Sequence, residues 1–383
     1  MEEIVRKRWL LLRQILCVAN ARWDDAPCRL ANLFGPLHEM DVEVLFFEPA
    51  LPIFSSGRRP REGTLVSPGV IAYTLPAFVD WTEEGVAQTD RLTNRNARYI
   101  QRCMADHRCK TPLLWLCCPN SVGLLDLLPY EGLVYDCDQD WSAFPPTWEQ
   151  TLCGEADVVF TASDILRQRL APFCSNVAVL TNGVDYSLFR AAGETFDAYP
   201  ADLAAIPRPI LGYLGTVDDF TDLDAICYAA RNCPQWSFVF VGSFSHLNPG
   251  YSTLKRMKNV HLLGKKSRAT LPRYLSRFDV CLEPFPGRKE SPDILSQRVY
   301  QYLASGHPIA AMTENELEQL PDAIYYARFD IEFVSACRFA LEEQSPELIA
   351  RRKAYAQAAD WSALSGELVH ILESNGLLSF NAT

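Results

Sequence analysis

No stretch of this 383-residue sequence approaches the ~20 consecutive apolar residues that a membrane-crossing helix needs. Positive charge is also in short supply. Lys and Arg number 36 against 47 Asp and Glu, a net charge of −11, which leaves no broad basic face for nucleic acid. A secretory leader pattern is missing too. The start, Met1-Glu2-Glu3-Ile4-Val5-Arg6-Lys7-Arg8, is charged, and the apolar stretch from Trp9 is broken by Arg13, so a cytoplasmic location is expected. There is no repeat of fixed period and no low-complexity tract. The six histidines offer no convincing catalytic setting, and His261 and His307 read as structural.

Cysteine, by contrast, is plentiful. The 13 thiols are odd in number, and several sit in apolar runs: Cys17 in Gln14–Ala19, Cys117 and Cys118 in Leu113–Cys118, and Cys281 in Asp279–Leu282. There a thiol behaves as a small buried hydrophobe, and the large chain fits a reducing compartment better than a disulfide scaffold. Cys103, His107 and Cys109 lie close together, but no second pair stands at structural-zinc spacing, so no metal site is expected.

With 48% hydrophobic and 22% charged residues the chain is an ordinary globular one, long enough for two or three domains. Short apolar runs rich in β-branched and aromatic residues alternate with amphipathic segments of helix length, the pattern of parallel sheets covered by helices. In the first half the spacing predicts strands at Gln14–Ala19, Val42–Glu48, Val70–Thr74, Leu113–Cys118, Leu133–Tyr135, Val158–Thr161 and Val177–Leu180. Helices are expected at Cys28–His38, Glu84–Met104 and Ser163–Leu170, the last with Ser163 as N-cap. Residues 191–208 lack a clear period, carry two prolines and read as an interdomain linker. Strand–helix alternation then resumes. Strands are predicted at Ile210–Leu214, Ser237–Val241, Val260–Leu263, Val280–Pro284 and Ile309–Met312, with helices at Asp222–Asn232, Leu271–Arg277 and Leu295–Ser305 and a helical tail over Ala350–Leu378. The fold class is therefore α/β, with two Rossmann-like doubly wound domains facing a cleft, and ligands are expected at the carboxyl ends of the strands.

Residues 261–312 carry the densest chemistry. A strand and a glycine turn, His261-Leu262-Leu263-Gly264, lead into Lys265, Lys266 and Arg268. Further on, a loop holding Arg288, Lys289 and Asp293 enters a helix near Ser296. A helix start offers free N–H groups and a favourable dipole to an anion. Arg298 and Lys265 are the candidates to clamp a diphosphate, with Arg288 or Lys289 as additions. Taken singly, Lys266, Arg268, Arg288 and Lys289 also fit an ordinary solvated loop. Gly215 and Gly242 end strands on the same side; Gly215 would permit close backbone approach of a ligand, whereas Gly242 reads as turn geometry.

Leu262–Pro308 resembles the donor-binding core of bacterial GT-B glycosyltransferases of the glycosyltransferase 1/4 type, in which LLG(R/K) and FDV.L.PF elements precede YEYLA(A)GKP. Three further segments fit in order: Val179–Phe189 is similar to the family's PNGVD…F, Pro209–Thr216 to P.IGYIG, and Leu133–Phe144 to the VYDCVDDWSAF of a subset that builds cell-surface polysaccharides. The resemblance covers roughly residues 130–310 and implies an N-terminal acceptor domain (1–190, completed by a C-terminal helix over about 361–383) and a donor domain (209–360). It further implies transfer of a sugar from a nucleotide-diphosphate sugar to a hydroxyl acceptor, with no separate cofactor and no metal. Gly215, Lys265, Asp293, Arg298, Val299 and Gln301 are the donor-binding candidates. Gln301 stands where the family has the Glu expected to bind the donor ribose, and Asp293 where relatives place the first acid of a Glu-x7-Glu pair.

Transfer to a hydroxyl needs a base or charge stabilisation at the reacting carbon, together with neutralisation of the leaving diphosphate. Asp138 or Asp140 is the candidate base, and Asp136, nearer the strand, is a third acid that also fits a loop-holding role. Trp23-Asp24-Asp25 marks a second loop where an acceptor would lie. Gln139 replaces a family Asp, and with Gln301 it motivates the alternative of a GT-B-like binding subunit without turnover. The partners implied are a nucleotide sugar and a carbohydrate or lipid-linked acceptor, with no nucleic acid. Gly57-Arg58-Arg59-Pro60-Arg61 and Arg6-Lys7-Arg8 are candidates for peripheral contact with anionic lipid at the inner face of the membrane, besides the plainer role of solvated charge.

Overall fold

A computed structural model of the chain describes residues 14–24, 29–51, 59–77, 86–194, 196, 199–218, 221–284, 294–313, 320 and 322–378. Arg6-Lys7-Arg8, Asp25, Gly57, Arg58, Arg288, Lys289 and Asp293 lie outside the described residues. So do the expected helix starts at Cys28 and Glu84. The chain divides into two compact units, Met1–Thr181 with Ser362–Thr383, and Asn182–Trp361.

The first unit is built on an eight-stranded sheet. Its strands are β1 (Gln14–Val18), β2 (Glu43–Glu48), β3 (Glu62–Ser67), β4 (Val70–Thr74), β5 (Leu113–Leu116), β6 (Gly132–Cys137), β7 (Val158–Thr161) and β8 (Val177–Val179), in the order β3-β4-β2-β1-β5-β6-β7-β8. All pairings are parallel except the β3–β4 hairpin. Residues of β5, β6 and β7 are buried throughout, because a parallel sheet covered on both faces demands continuous apolar runs. Edge strand β3 is largely exposed, which is why no apolar pattern announced it. Ser163 accepts from the Leu166 N–H at 3.2 Å and caps Asp164–Leu170 as expected. The C-terminal helix Trp361–Ser374 packs in this unit, with Leu368 and Leu372 fully buried and the Ser365 hydroxyl donating to the Leu33 carbonyl at 3.1 Å.

The second unit carries an all-parallel six-stranded sheet: β9 (Ile210–Leu214), β10 (Ser237–Val241), β11 (Val260–Leu262), β12 (Val280–Pro284), β13 (Ile309–Met312) and β14 (Tyr325–Ala327), in the order β11-β10-β9-β12-β13-β14. Renumbered within the unit this is 3-2-1-4-5-6, the doubly wound order whose direction reverses between its first and fourth strands. Three expectations need correction. The segment 191–208 lies inside this unit: Ala192, Leu203 and Ile206 join Val184, Phe189 and Ile210 in one core cluster, because two short helical turns bring its scattered apolar residues inward. The continuous helix over 350–378 is two, Pro346–Ala358 and Trp361–Ser374. Between them Asp360 leaves the helix to bridge Val184, and its carboxylate accepts from the Tyr186 N–H at 2.9 Å. Helices Pro146–Glu155 and Asp330–Glu342 were not expected.

Candidate active site

In the second unit the strand ends around the reversal point converge on one guanidinium. Strands β9 and β12 pair only through Val280–Leu211 and Cys281–Gly212, and beyond that they part. Gly212 faces the Phe278 ring, which stands where a Cβ would be. Helix Gln297–Ser305, capped by the Ser296 hydroxyl on the Val299 N–H, fills the widening gap. Its Tyr302 hydroxyl accepts from Leu214 N–H at 2.8 Å and donates to the Leu282 carbonyl at 3.3 Å, joining the separated strands.

One turn earlier on that helix, Arg298 donates from Nε to Glu283 at 2.5 Å, from Nη2 to the second Glu283 oxygen, and from Nη1 to the Tyr213 hydroxyl at 2.8 Å. Its guanidinium also lies 4.4 Å from the Tyr213 ring centroid. Burial works against the charge, but Glu283 and the neighbouring Tyr213 outweigh it and hold Arg298 well above its ordinary pKa. Glu283 is 1% exposed, so this is a buried bidentate ion pair. Arg298 is therefore no free phosphate clamp. Its fork is committed to Glu283 and Tyr213, leaving one N–H on each terminal nitrogen. Gly215, at φ 137°, is adjacent: a Cβ there would stand 2.7 Å from Arg298 Nη1, so this glycine admits the guanidinium.

The other donor candidates separate. Lys265 follows Gly264 (φ 71°) at the end of β11, is exposed, and makes no ion pair among the described residues. Gln301 is half-buried. Val299 is fully buried in the core cluster and its N–H is turned to Ser296, so its part is packing rather than ligand contact. Lys266 is paired with Asp202 at 2.6 Å and Arg268 with Asp185 at 3.6 Å. Gly242 (φ 151°) is more than a turn, since the carbonyl of Gly215 lies where its Cβ would be. Gly242→Ala is expected to force β9 and β10 apart at their ends and destabilise the unit by about 1–3 kcal/mol, read from the urea midpoint. An unchanged midpoint would remove the close-approach explanation.

In the first unit the reversal lies between β1 and β5, and the loops after β1 and β6 bring polar residues together. Asp136 accepts from Arg29 Nη1 at 2.6 and 2.8 Å and from the Trp115 indole at 3.3 Å, all of them buried. Arg29 Nη2 also donates to the Leu180 carbonyl at 2.6 Å. Asp136 is thus held as a structural anchor by a buried arginine and an indole. Asp138, two residues on, accepts from the Asn20 amide at 2.7 Å. Burial raises its pKa to about 7, the Asp136 charge adds to the rise, and Arg29 and the Asn20 bond oppose it. Asp140 accepts from the Ser142 N–H at 3.0 Å, closing a local turn.

Glu48, at the end of β2, is fully buried and paired with Arg22 at 3.1 Å and with Arg61, which also reaches Asp24. Arg61 is therefore turned inward and is not part of a lipid-facing run. Glu48, Glu283, Arg29, Tyr213 and Asn20 all escaped the sequence reading. The two glutamates had a signal, a lone acid closing an apolar strand in Val44-Leu45-Phe46-Phe47-Glu48 and Val280-Cys281-Leu282-Glu283. His107 engages both ring nitrogens, with Tyr73 at 2.7 Å and Glu43 at 3.2 Å. His307 is half-buried, and desolvation depresses its pKa to about 4.

No family model matches the chain. In Bacillus subtilis (strain 168) the "Putative teichuronic acid biosynthesis glycosyltransferase TuaH" is 24% identical over 282 residues, 67% of this chain and 70% of its own length. Among solved structures, Anabaena Alr3699/HepE in complex with UDP and glucose superposes with a TM-score of 0.65 at 14% identity, covering 95% of this chain and 100% of that one. The trehalose 6-phosphate synthase of Burkholderia multivorans gives 0.67 at 14% identity, with 95% and 98% covered. The catalytic domain of Arabidopsis thaliana starch synthase IV gives 0.63 at 12% identity, with 96% and 99% covered. The chain has the GT-B glycosyltransferase fold. In this GT-B chain the Arg298–Glu283 pair belongs to the second unit and the Asp138 cluster to the first. No helix among the described residues is long and apolar enough to cross a membrane.

Proposed function

We propose that this GT-B protein transfers a sugar from a nucleotide-diphosphate sugar to a hydroxyl acceptor in polysaccharide synthesis. The observation that carries the reading is the cluster of Gly215, Glu283 and Arg298 at the reversal point of a 3-2-1-4-5-6 sheet, where doubly wound domains bind nucleotides; exposed Lys265 follows the edge strand β11 of the same sheet. Lys265 and the two remaining Arg298 N–H groups take the diphosphate, and the first-turn N–H groups of Gln297–Ser305 add positive potential. Gln301 reaches the ribose through neutral hydrogen bonds. In the first unit Asp138 accepts the acceptor hydroxyl's proton, being the acid of the β6 loop whose pKa lies near neutrality. UDP is the first nucleotide to try, since HepE is bound to it and two trehalose-phosphate synthases among the similar structures are named UDP-forming.

Lys265 and a helix start meet the leaving diphosphate, and on this reading activity needs neither a metal nor a separate cofactor. The acceptor is a carbohydrate or lipid-linked carbohydrate presented at the inner face of the membrane. The test is thermal stabilisation by UDP-, GDP-, ADP- and TDP-sugars in EDTA, followed by turnover of the donor that binds. One nucleotide should raise the melting temperature selectively, and Lys265→Ala, whose side chain makes no ion pair among the described residues, should weaken that donor about tenfold. No shift with any donor would sink the proposal. Binding without turnover would leave only the non-catalytic subunit.

A further inference from the structure

The helix Val86–Asp106 carries a row of arginines that the transfer chemistry does not use. Arg91, Arg95, Arg98 and Arg102 stand at intervals of four, three and four residues, which puts them on one face over roughly 16 Å. All four are exposed, and none enters an ion pair or hydrogen bond among the described residues. Four like charges side by side repel one another, and an acidic neighbour would ordinarily relieve them. The row borders a hollow of about 1330 Å³, which Pro76 and Tyr99 also line.

We infer that this row binds an extended glycan carrying repeated carboxylates, held alongside the protein as the acceptor or growing chain. The inference rests on the polysaccharide-synthesis reading above, but its site lies on a different element from the donor cluster. Three observations select the ligand. The row is all arginine, whose planar fork matches a carboxylate bidentately, whereas a diffuse counter-charge would be served equally by lysine. The chain as a whole is acidic, with a net charge of −11, so four exposed arginines side by side stand out as a place for a polyanion. Tyr99 and Pro76 supply an apolar surface of the kind a sugar ring lies against. An anionic bilayer fits less well. Among the described residues no large exposed hydrophobic side chain lies on this helix, so there is no anchor to insert beside the charges.

The experiment measures binding of fluorescently labelled oligogalacturonate to the full chain by polarisation. A neutral dextran oligomer and vesicles of phosphatidylcholine with phosphatidylglycerol serve as the other ligands. The oligouronate should bind, dextran should not, and the complex should weaken at least about tenfold between about 50 and about 300 mM salt. R95Q/R98Q should lose about tenfold in affinity with an unchanged melting temperature, because both side chains are exposed and unpaired. Its donor-induced thermal shift should match wild type, which separates failure of this inference from failure of the donor site. Equal binding of dextran, or full oligouronate binding by R95Q/R98Q, would overturn the inference. Binding to the vesicles but not the oligouronate would assign the row to a membrane surface instead.

Discussion

Replacing Arg298 with alanine is expected to destabilise the second unit by about 3–5 kcal/mol, seen as a lower urea midpoint for its transition. The loss comes from what remains behind. Glu283 is 1% exposed and its carboxylate is held by Arg298 from two nitrogens, so truncation leaves a buried charge with no counter-ion. It also vacates the space beside Gly215 and removes the donor to the Tyr213 hydroxyl, which keeps its bond to the Thr216 carbonyl at 3.1 Å. Glu283→Ala should cost about as much for the mirror-image reason, whereas Glu283→Leu with Arg298→Met should recover most of the loss by replacing the pair with apolar volume. A single variant that lost less than about 1 kcal/mol would show the pair to be solvated and open to a ligand. Lost donor binding in Arg298→Ala therefore does not by itself identify a phosphate contact. Lys265→Ala is the cleaner probe.

Asp138→Asn should lower sugar transfer by about 10²–10⁴-fold and at the same time raise the melting temperature above that of the wild type at pH 8. Both effects follow from the elevated pKa. The unfolded carboxyl titrates near its ordinary 3.8 and the folded one near 7, mainly through burial and then through the Asp136 charge. Between those values the folded protein retains a proton that the unfolded chain has released. Stability therefore falls as pH rises through this window and stays lower above it. Asparagine cannot ionise, so its advantage should be absent near pH 3.5 and fully developed above pH 7. Transfer runs the other way: the wild-type rate should climb through pH of about 7 as the base becomes available. Full activity in Asp138→Asn would transfer the role to another group, with Asp140 next in line. A melting temperature below that of the wild type at pH 8 would show that burial of the charge is not what raises this pKa.

Most of the strands were legible because each is nearly a continuous apolar run. Val70–Thr74, Val158–Thr161, Ile210–Leu214, Ser237–Val241, Val280–Pro284 and Ile309–Met312 have the limits expected of them. The elements that escaped are those whose environment, rather than their composition, makes them regular. Strand β3 is an exposed edge that exists only by pairing with β4, and β14 is a three-residue edge beside β13. The site divides along the same line. Lys265, Gly215 and Asp138 could be proposed from the sequence because a glycine turn or a run of acids after a strand is a local feature. Arg298 could be proposed too, but its state could not be read, because the Glu283 that claims it lies 15 residues away on a neighbouring strand.

By itself, the sequence determined two sheets of buried parallel strands, the side of each sheet on which polar residues gather, and the resemblance to GT-B transferases. Those properties depend on which residues are apolar and on short-range turn chemistry, which act over a few positions. Only the tertiary structure decided the charge state and freedom of each candidate. Asp136 became an anchor because Arg29 meets it from 107 residues away, and Asp138 an acid with a raised pKa because it is half-buried beside Asp136. It also decided that four exposed arginines along one helix make no ion pair among the described residues. The physical reason is the same in each case. An ionisable group's behaviour is set by burial and by the charges within a few ångströms of it, and those neighbours come from distant parts of the chain.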